Sequence, residues 1–192
     1  MTHSAALIAG GKSTRMGRDK AALRRAGCPL WLAQLGTLAA TQPAEIFVAG
    51  KCAPIPAGTV EMIADLREDC GPLGGIAAAL KRARAPWVMV LAVDMPAMTP
   101  EFLLAMLRRA QRKDCGVVPH FDDGFEPLAA IYPADAAPIA VRMLEEGRLA
   151  LREFIGEAMG AGLLVDYPVE WEERRLFANM NTPDEAREHG AR

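Results

Sequence analysis

The sequence predicts an α/β fold, a mostly parallel central sheet with helices on both faces, and three observations carry that prediction. Short apolar runs of strand character alternate with helical patterns along the chain. One of them, Trp87 to Val93, is apolar at every position, as a strand buried on both faces requires. The 192 residues, 51% of them hydrophobic and 24% charged, suffice for one well-buried domain spanning 1–192 and are few for two.

Taken in order, the first strand is Ala5 to Ala9, an uncharged run ended by Gly10 and Gly11. A helix over Leu30 to Thr41 precedes strands at Glu45 to Ala49 and Val60 to Ile63, and a helix over Leu73 to Arg84 precedes the strand Trp87 to Val93. The next helix is the best bounded. Thr99 is its N-cap, Pro100 stands in its first turn, and Phe102, Leu103, Met106, Leu107 and Ala110 make an inward stripe before it ends near Arg112. Further strands at Gly116 to Val118, Pro127 to Tyr132 and Gly162 to Val165 extend the sheet beyond its first half. Helices over Ala136 to Glu146 and Leu149 to Ala158 take Gly147 and Gly160 as stops. No internal repeat, low-complexity tract or linker interrupts this order.

A formal net charge of -2 makes no general electrostatic case for nucleic acid or a membrane surface, so the partner expected is a small molecule. Cys28, Cys52, Cys70 and Cys115 show neither C-x-x-C spacing nor neighbouring histidines, which predicts buried free thiols. His3, His120 and His189 are too dispersed for metal ligation and read as solvated or hydrogen-bonded; His120 could border an acceptor site. With no basic leader and no uncharged stretch of membrane-spanning length, the expectation is a cytoplasmic protein with reduced cysteines.

The segment Leu7 to Lys20, LIAGGKSTRMGRDK, places a glycine pair and four cations, Lys12, Arg15, Arg18 and Lys20, directly after the first strand. Glycine lets backbone approach a ligand closely, and amides with cations can surround one polyphosphate. At 4 Å and an effective dielectric near 20, each opposite-charge contact is worth on the order of 4 kcal/mol. Two familiar phosphate loops are excluded. G-x-x-x-x-G-K-[ST] needs glycine where Ala6 stands, and G-x-G-x-x-G fails because Gly10 and Gly11 are adjacent.

Other acids and amides fall at strand ends. Asp94 follows the apolar strand in Asp94-Met95-Pro96, at the carboxyl edge where open α/β sheets bind ligands, and suits a magnesium ion shared with a triphosphate. Asp65 ends Met62-Ile63-Ala64-Asp65 and could accept from a base or ribose donor. Gly71, Gly74 and Gly75 beyond it serve either close approach to a ligand or tight packing of a helix on the sheet. Asn179 and Asn181 alternate in NMNTPDE, where they either face a phosphate together or stabilise the turn that Thr182 and Pro183 convert into a helix start.

Together LIAGGKSTRMGRDK, MIADLREDCGPLGGI, LAVDMPAMTP, EPLAAIY and NMNTPDE resemble the molybdenum cofactor guanylyltransferases over nearly the whole chain. These belong to the wider nucleotidyltransferase family, so the resemblance implies a Rossmann-like three-layer α/β/α fold. The double glycine and NMNTPDE favour the guanylyl branch over cytidylyl relatives, which typically carry LAAG. GTP and molybdopterin are the implied substrates, Mg2+ the implied metal, and proteins that deliver molybdopterin or receive the product the implied partners. On this likeness Leu7, Ala9, Gly10 and Gly11 line the guanine and phosphate site, and Arg15 and Lys20 contact phosphates. Asp65 helps bind GTP, Asp94 holds magnesium, and Asn179 and Asn181 lie on the acceptor side. The chain departs from relatives at Val48-Ala49-Gly50-Lys51, where an asparagine is frequent, and at Glu126-Pro127, where some carry His-Pro. Alternative readings are a cytidylyltransferase for the same cofactor, a sugar-phosphate nucleotidyltransferase, and a nucleotide-binding module without turnover.

Overall fold

A computed structural model of the chain describes residues 2–9, 24–25, 27–50, 60–67 and 69–179. Among these lie strands β1 (His3–Ile8), β2 (Arg24–Arg25), β3 (Cys28–Pro29), β4 (Glu45–Ala49), β5 (Val60–Ile63), β6 (Trp87–Ala92), β7 (Gly116–Phe121), β8 (Gly124–Phe125), β9 (Ala129–Pro133) and β10 (Leu164–Pro168). The helices are α1 (Leu30–Ala40), α2 (Gly71–Arg82), α3 (Pro100–Lys113), α4 (Ala137–Glu145) and α5 (Leu151–Gly160), with 3-10 turns at Ala134–Ala136 and Trp171–Phe177.

The main sheet runs β10-β7-β9-β6-β1-β4-β5, with β8 paired to β7. β1, β4, β5 and β6 are mutually parallel, as are β7 and β10; β9 runs antiparallel to both β6 and β7. The mostly parallel sheet is therefore observed, and β9, β7 and β10 extend it beyond β6 as expected. Period-two alternation splits the apolar side chains between two cores. Ala5, Leu7, Met89 and Leu91 pack with α1 and α3 on one face, while Ala6, Ile8, Val88 and Val90 pack with α2, α4 and α5 on the other. This is the three-layer arrangement, and each large apolar side chain so buried contributes roughly 1.5–3 kcal/mol.

Local signals explain most boundaries. Thr99 Oγ1 accepts from the Phe102 N–H at 3.4 Å to cap α3, and the buried residues of that helix are the five of the expected stripe. Gly147 adopts φ +72° after α4, where its N–H donates to Leu144 and that of Arg148 to Met143. Gly160, expected as a stop, is instead the last residue of α5; the positive φ belongs to Gly162. α2 begins at Gly71 rather than Leu73, since Pro72 fits the first turn. β7 continues past Pro119, whose carbonyl accepts from the Glu126 N–H, and reverses through Asp122-Asp123 into β8.

Cys70 is buried, whereas Cys28 and Cys115 are only half-buried because they sit at strand and helix margins; none of the three is in a disulfide, and Cys52 lies outside the described residues. No described helix is long and apolar enough to cross a membrane.

His3 is buried at the start of β1, with Nε2 3.0 Å from Thr41 Oγ1. The Thr41 hydroxyl already donates to Leu38 O at 2.7 Å, so its oxygen accepts the His3 Nε2–H. Burial lowers the His3 pKa below its ordinary 6.5. The unfolded chain consequently protonates first on acidification, and this contribution to stability is complete above 6.5 and lost as pH falls through the folded value. In His3→Gln, which keeps a donor for Thr41, urea unfolding should show a smaller loss of stability between pH 7 and pH 5 than in the parent.

Candidate functional site at the carboxyl edge

One rung of the sheet places the candidate residues. Ile63 pairs with Ala49, Ala49 with Ile8, and Ile8 with Ala92, so the segments after β5, β4, β1 and β6 leave the sheet at one height. The rung is extended by the Ala9 N–H donating to Ala49 O at 2.8 Å and the Val93 N–H to Ile8 O at 3.2 Å. Strand order reverses at β1, where β4 and β5 lie to one side and β6 to the other, and such switch points form binding crevices. Three strand spacings of about 4.8 Å separate β5 from β6, so Asp65 and Asp94 flank a span of roughly 14 Å.

Asp94 is half-buried two residues beyond β6, in a turn held from below by a residue that the motif reading passed over. Gln34 of α1 is 1% exposed, and its Nε2 donates to Met95 O at 2.5 Å and towards Ala92 O at 3.5 Å. The Met95 carbonyl also accepts from the Met98 N–H at 3.1 Å. The buried face of α1 is Leu30, Trp31, Gln34, Leu35 and Leu38. A single amide within an otherwise apolar stripe was the available signal, because such a group is buried only where it finds acceptors.

Asp65 sits two residues beyond β5 against the first turn of α2. A Cβ added at Gly74 would meet the Asp65 Cβ at 3.3 Å, and one at Gly75 would meet Asp65 Oδ1 at 3.4 Å, Ile8 Cδ1 at 3.4 Å and Ala49 Cβ at 2.8 Å. The two glycines thus let α2 close onto the sheet and leave room for the Asp65 carboxylate. Burial raises the Asp65 pKa above its ordinary value. The helix N-terminus beside it favours the anion, so the carboxylate is positioned by shape and field.

β9 brings a third carboxylate to the same edge. Because β9 is antiparallel, its start lies where β1, β4, β5 and β6 end, and the Ala92 N–H donates to Leu128 O at 2.7 Å. Glu126, just before it, is half-buried and accepts from the Leu128 N–H through Oε1 at 3.0 Å. Burial raises its pKa, the Leu128 N–H opposes that, and the charge of Asp94 adds to it.

The chain returns to this edge at its end. Phe177 packs edge-on against Phe121 at 5.0 Å and Phe102 at 5.3 Å between ring centres, anchoring the segment that leads to exposed Asn179. A cavity of about 600 Å³ lies between Pro96, Ala97, Met98 and Thr99 on the Asp94 side and Arg175, Leu176 and Ala178 on the other.

Leu7 is fully buried in the α1/α3 core, and Ala9 is half-buried at the end of β1. Gly10, Gly11, Arg15, Lys20 and Asn181 lie outside the described residues, as do Lys12, Arg18, Thr182 and His189. The fold therefore brings the end of β1, Asp65, Asp94 and the approach to Asn179 to one edge, with Gln34 and Glu126 added to them.

The family profile described as a MobA-like NTP transferase domain matches residues 5–161. A probable molybdenum cofactor guanylyltransferase of Opitutus terrae is 39% identical over 94% of this chain and 91% of its own length. A protein of the same name in Mycolicibacterium paratuberculosis is 30% identical over 94% of this chain and 91% of its own. The crystal structure of molybdopterin-guanine dinucleotide biosynthesis protein A from Archaeoglobus fulgidus superposes with a TM-score of 0.78 at 27% identity, covering 97% of this chain and 96% of that one.

Replacing Gln34 by Leu removes a buried donor from the Met95 carbonyl. The Met98 N–H still satisfies that carbonyl, so the expected cost is about 0.5–1.5 kcal/mol in urea unfolding, with faster amide exchange at Val93 to Met98 as the local sign. For Asp65 the folded-state pKa lies above the unfolded one, so the folded state holds the extra proton and stability falls as pH rises from 3.8 through the raised value. Asp65→Asn should accordingly unfold at higher urea than the parent at pH 7, and that advantage should shrink towards pH 4.

Proposed function

The chain belongs to the MobA-like NTP transferase family, and from that premise we propose that it transfers GMP from GTP to the terminal phosphate of molybdopterin, releasing pyrophosphate. The observation that carries this reading is the rung Ile63, Ala49, Ile8 and Ala92, which aligns Asp65, the entrance of the glycine-and-cation segment, and Asp94 along one edge. The names of the Opitutus and Mycolicibacterium relatives favour guanylyl over cytidylyl transfer.

In this reading GTP lies across the switch point. Its base and ribose sit towards β5 and Asp65, and its phosphates lie over the segment after β1, where the Gly10 and Gly11 backbone, Arg15 and Lys20 receive them. Leu7 and Ala9 shape the floor beneath. The acceptor approaches from the β9 and β7 side, bordered by Asn179 and Asn181. An oxygen of its terminal phosphate bonds to the α-phosphorus of GTP while the bond from that phosphorus to the β-phosphate oxygen breaks, and pyrophosphate leaves with the electron pair. A phosphate nucleophile is already ionised, so no strong base is required. Catalysis then rests on alignment and charge neutralisation, with Lys20 at the α-phosphoryl oxygens and Arg15 on the β and γ phosphates.

Among the described residues no three His, Cys, Asp or Glu side chains group as metal ligands, and the carboxylates beside β6 are Asp94 and Glu126. That set fits Mg2+, which takes one or two carboxylates and fills its shell with water and substrate phosphate oxygens. Asp94 would hold the ion, which when bound neutralises charge on the phosphoryl oxygens.

The test is incubation with GTP, Mg2+ and molybdopterin followed by product mass, with CTP as the comparison. Formation of the guanine dinucleotide with pyrophosphate is expected, and transfer from CTP alone would overturn the choice of base. Asp94→Ala should lose at least about 10²-fold in turnover with its unfolding transition unchanged. Substantial magnesium-dependent turnover in that variant would remove Asp94 from the role.

A further inference from the structure

The loop that carries Asp65 is tied to a helix 77 residues further along the chain. Arg67 is exposed, yet its Nη1 donates at 3.0 Å to Leu144 O, in the last turn of α4. α4 sets out from the amino edge of the sheet, where β9 ends with Pro133 beside Trp87, and the contact places its last turn beside the loop at the carboxyl edge. A helix C-terminus carries partial negative charge, which favours a guanidinium over a neutral donor there. Leu144 is buried in the core that α2 and α4 share with β1, so the acceptor is fixed.

The path of the loop needs such a tie. Asp69 at φ +58° and Gly71 at φ +61° are both left-handed. A free chain seldom adopts two such residues in three, so contacts outside the loop must select them. Cys70, buried between them, feels the charges of Arg67, Asp65 and Asp69, which gathers all three about the start of α2. Arg67 does not act by neutralising Asp65, because burial alone raises the Asp65 pKa. Its influence is on where the loop runs. Gly74 and Gly75 bound the Asp65 side chain from α2, and Arg67 fixes the loop from α4.

We infer that Arg67 is a positioning residue for nucleotide recognition: by anchoring the β5–α2 loop to the last turn of α4, it holds Asp65 where the base or ribose of GTP meets it. The inference rests on the reading above that Asp65 contacts GTP. α4 thereby contributes to nucleotide affinity without touching the ligand.

The test is calorimetric binding of GTP to the full chain in Arg67→Met, Arg67→Lys, Asp65→Asn and the double variant Asp65→Asn/Arg67→Met. Leu144 O still accepts from the Gly147 N–H at 3.1 Å, so Arg67→Met orphans no buried acceptor and its urea midpoint should match the parent's. It should bind GTP about 3- to 10-fold more weakly, the scale of one hydrogen bond. Arg67→Lys, which keeps a charged donor for Leu144 O, should recover most of that loss. In the Asp65→Asn background, adding Arg67→Met should cost less than about two-fold more, because its effect passes through the side chain already altered. A general structural defect would instead add its full loss. The inference is overturned if Arg67→Met binds GTP as tightly as the parent, or if its loss remains whole in the Asp65→Asn background. Weakened binding in Asp65→Asn with parental binding in Arg67→Met would keep the assignment of Asp65 and reject Arg67 alone. Parental binding in Asp65→Asn would reject the assignment of Asp65 itself, and the positioning role with it.

Discussion

Everything at the carboxyl edge depends on the hydrogen-bonded rung that joins Ile63, Ala49, Ile8 and Ala92. Parallel strands send all their carboxyl ends in one direction, and a common register makes the segments that follow them depart together. Register is held by the two cores. A slip of β1 by one residue would turn Ala5 and Leu7 from the α1/α3 side to the α2/α4/α5 side and exchange them with Ala6 and Ile8. The close approach of α2 adds a second lock, because a Cβ at Gly75 would meet the Ala49 and Ile8 side chains on this same rung. Burial in the sheet is thus converted into a spacing between polar groups more than a strand apart.

That arrangement carries a cost in stability. Asp65 is held by packing against Gly74 and Gly75, and desolvation works against its charged form. Glu126 experiences both desolvation and a like charge from Asp94. Carboxylates gathered this way are unfavourable in the empty protein and become favourable when a cation or donor-rich ligand arrives. Gln34 offsets part of the cost by supplying a buried donor to the turn that follows β6. The molecule therefore keeps its polar groups on a frame whose stability comes from the apolar layers on either side.

The elements legible in the sequence are those whose signals are local. β4 and β5 coincide with the apolar runs, and α3 with its cap and stripe. The strand expected to end at Val118 runs on through Pro119 to Phe121, because the proline lacks only an N–H and its carbonyl still pairs, accepting from the Glu126 N–H. The direction of β9 is a property of pairing, with no period or composition to announce it, so the consequence that Glu126 reaches the ligand edge was hidden. Gln34 was hidden for a related reason: its acceptors, Ala92 and Met95, are 58 and 61 residues away in the chain. Asp65 and Asp94 were legible because each directly follows a strand, and strand ends in parallel sheets have a shared destination.

The reversed strand also decides which charged groups share the carboxyl edge. The cations Lys12, Arg15, Arg18 and Lys20 all belong to the segment that follows β1, whereas Glu126 and Asp123 belong to segments flanking β7 and β9. β6 lies between these groups in the sheet, with Asp94 at its end. Arg174, whose guanidinium donates to Asp122 and lies 5.7 Å from the centre of the Phe121 ring, stands on the Glu126 side, which therefore carries both signs of charge. Had β9 been parallel, its start would lie at the opposite edge and the carboxylate of Glu126 with it. The direction of that single strand thus decides whether the Glu126 carboxylate feels the charge of Asp94 or lies across the sheet from it.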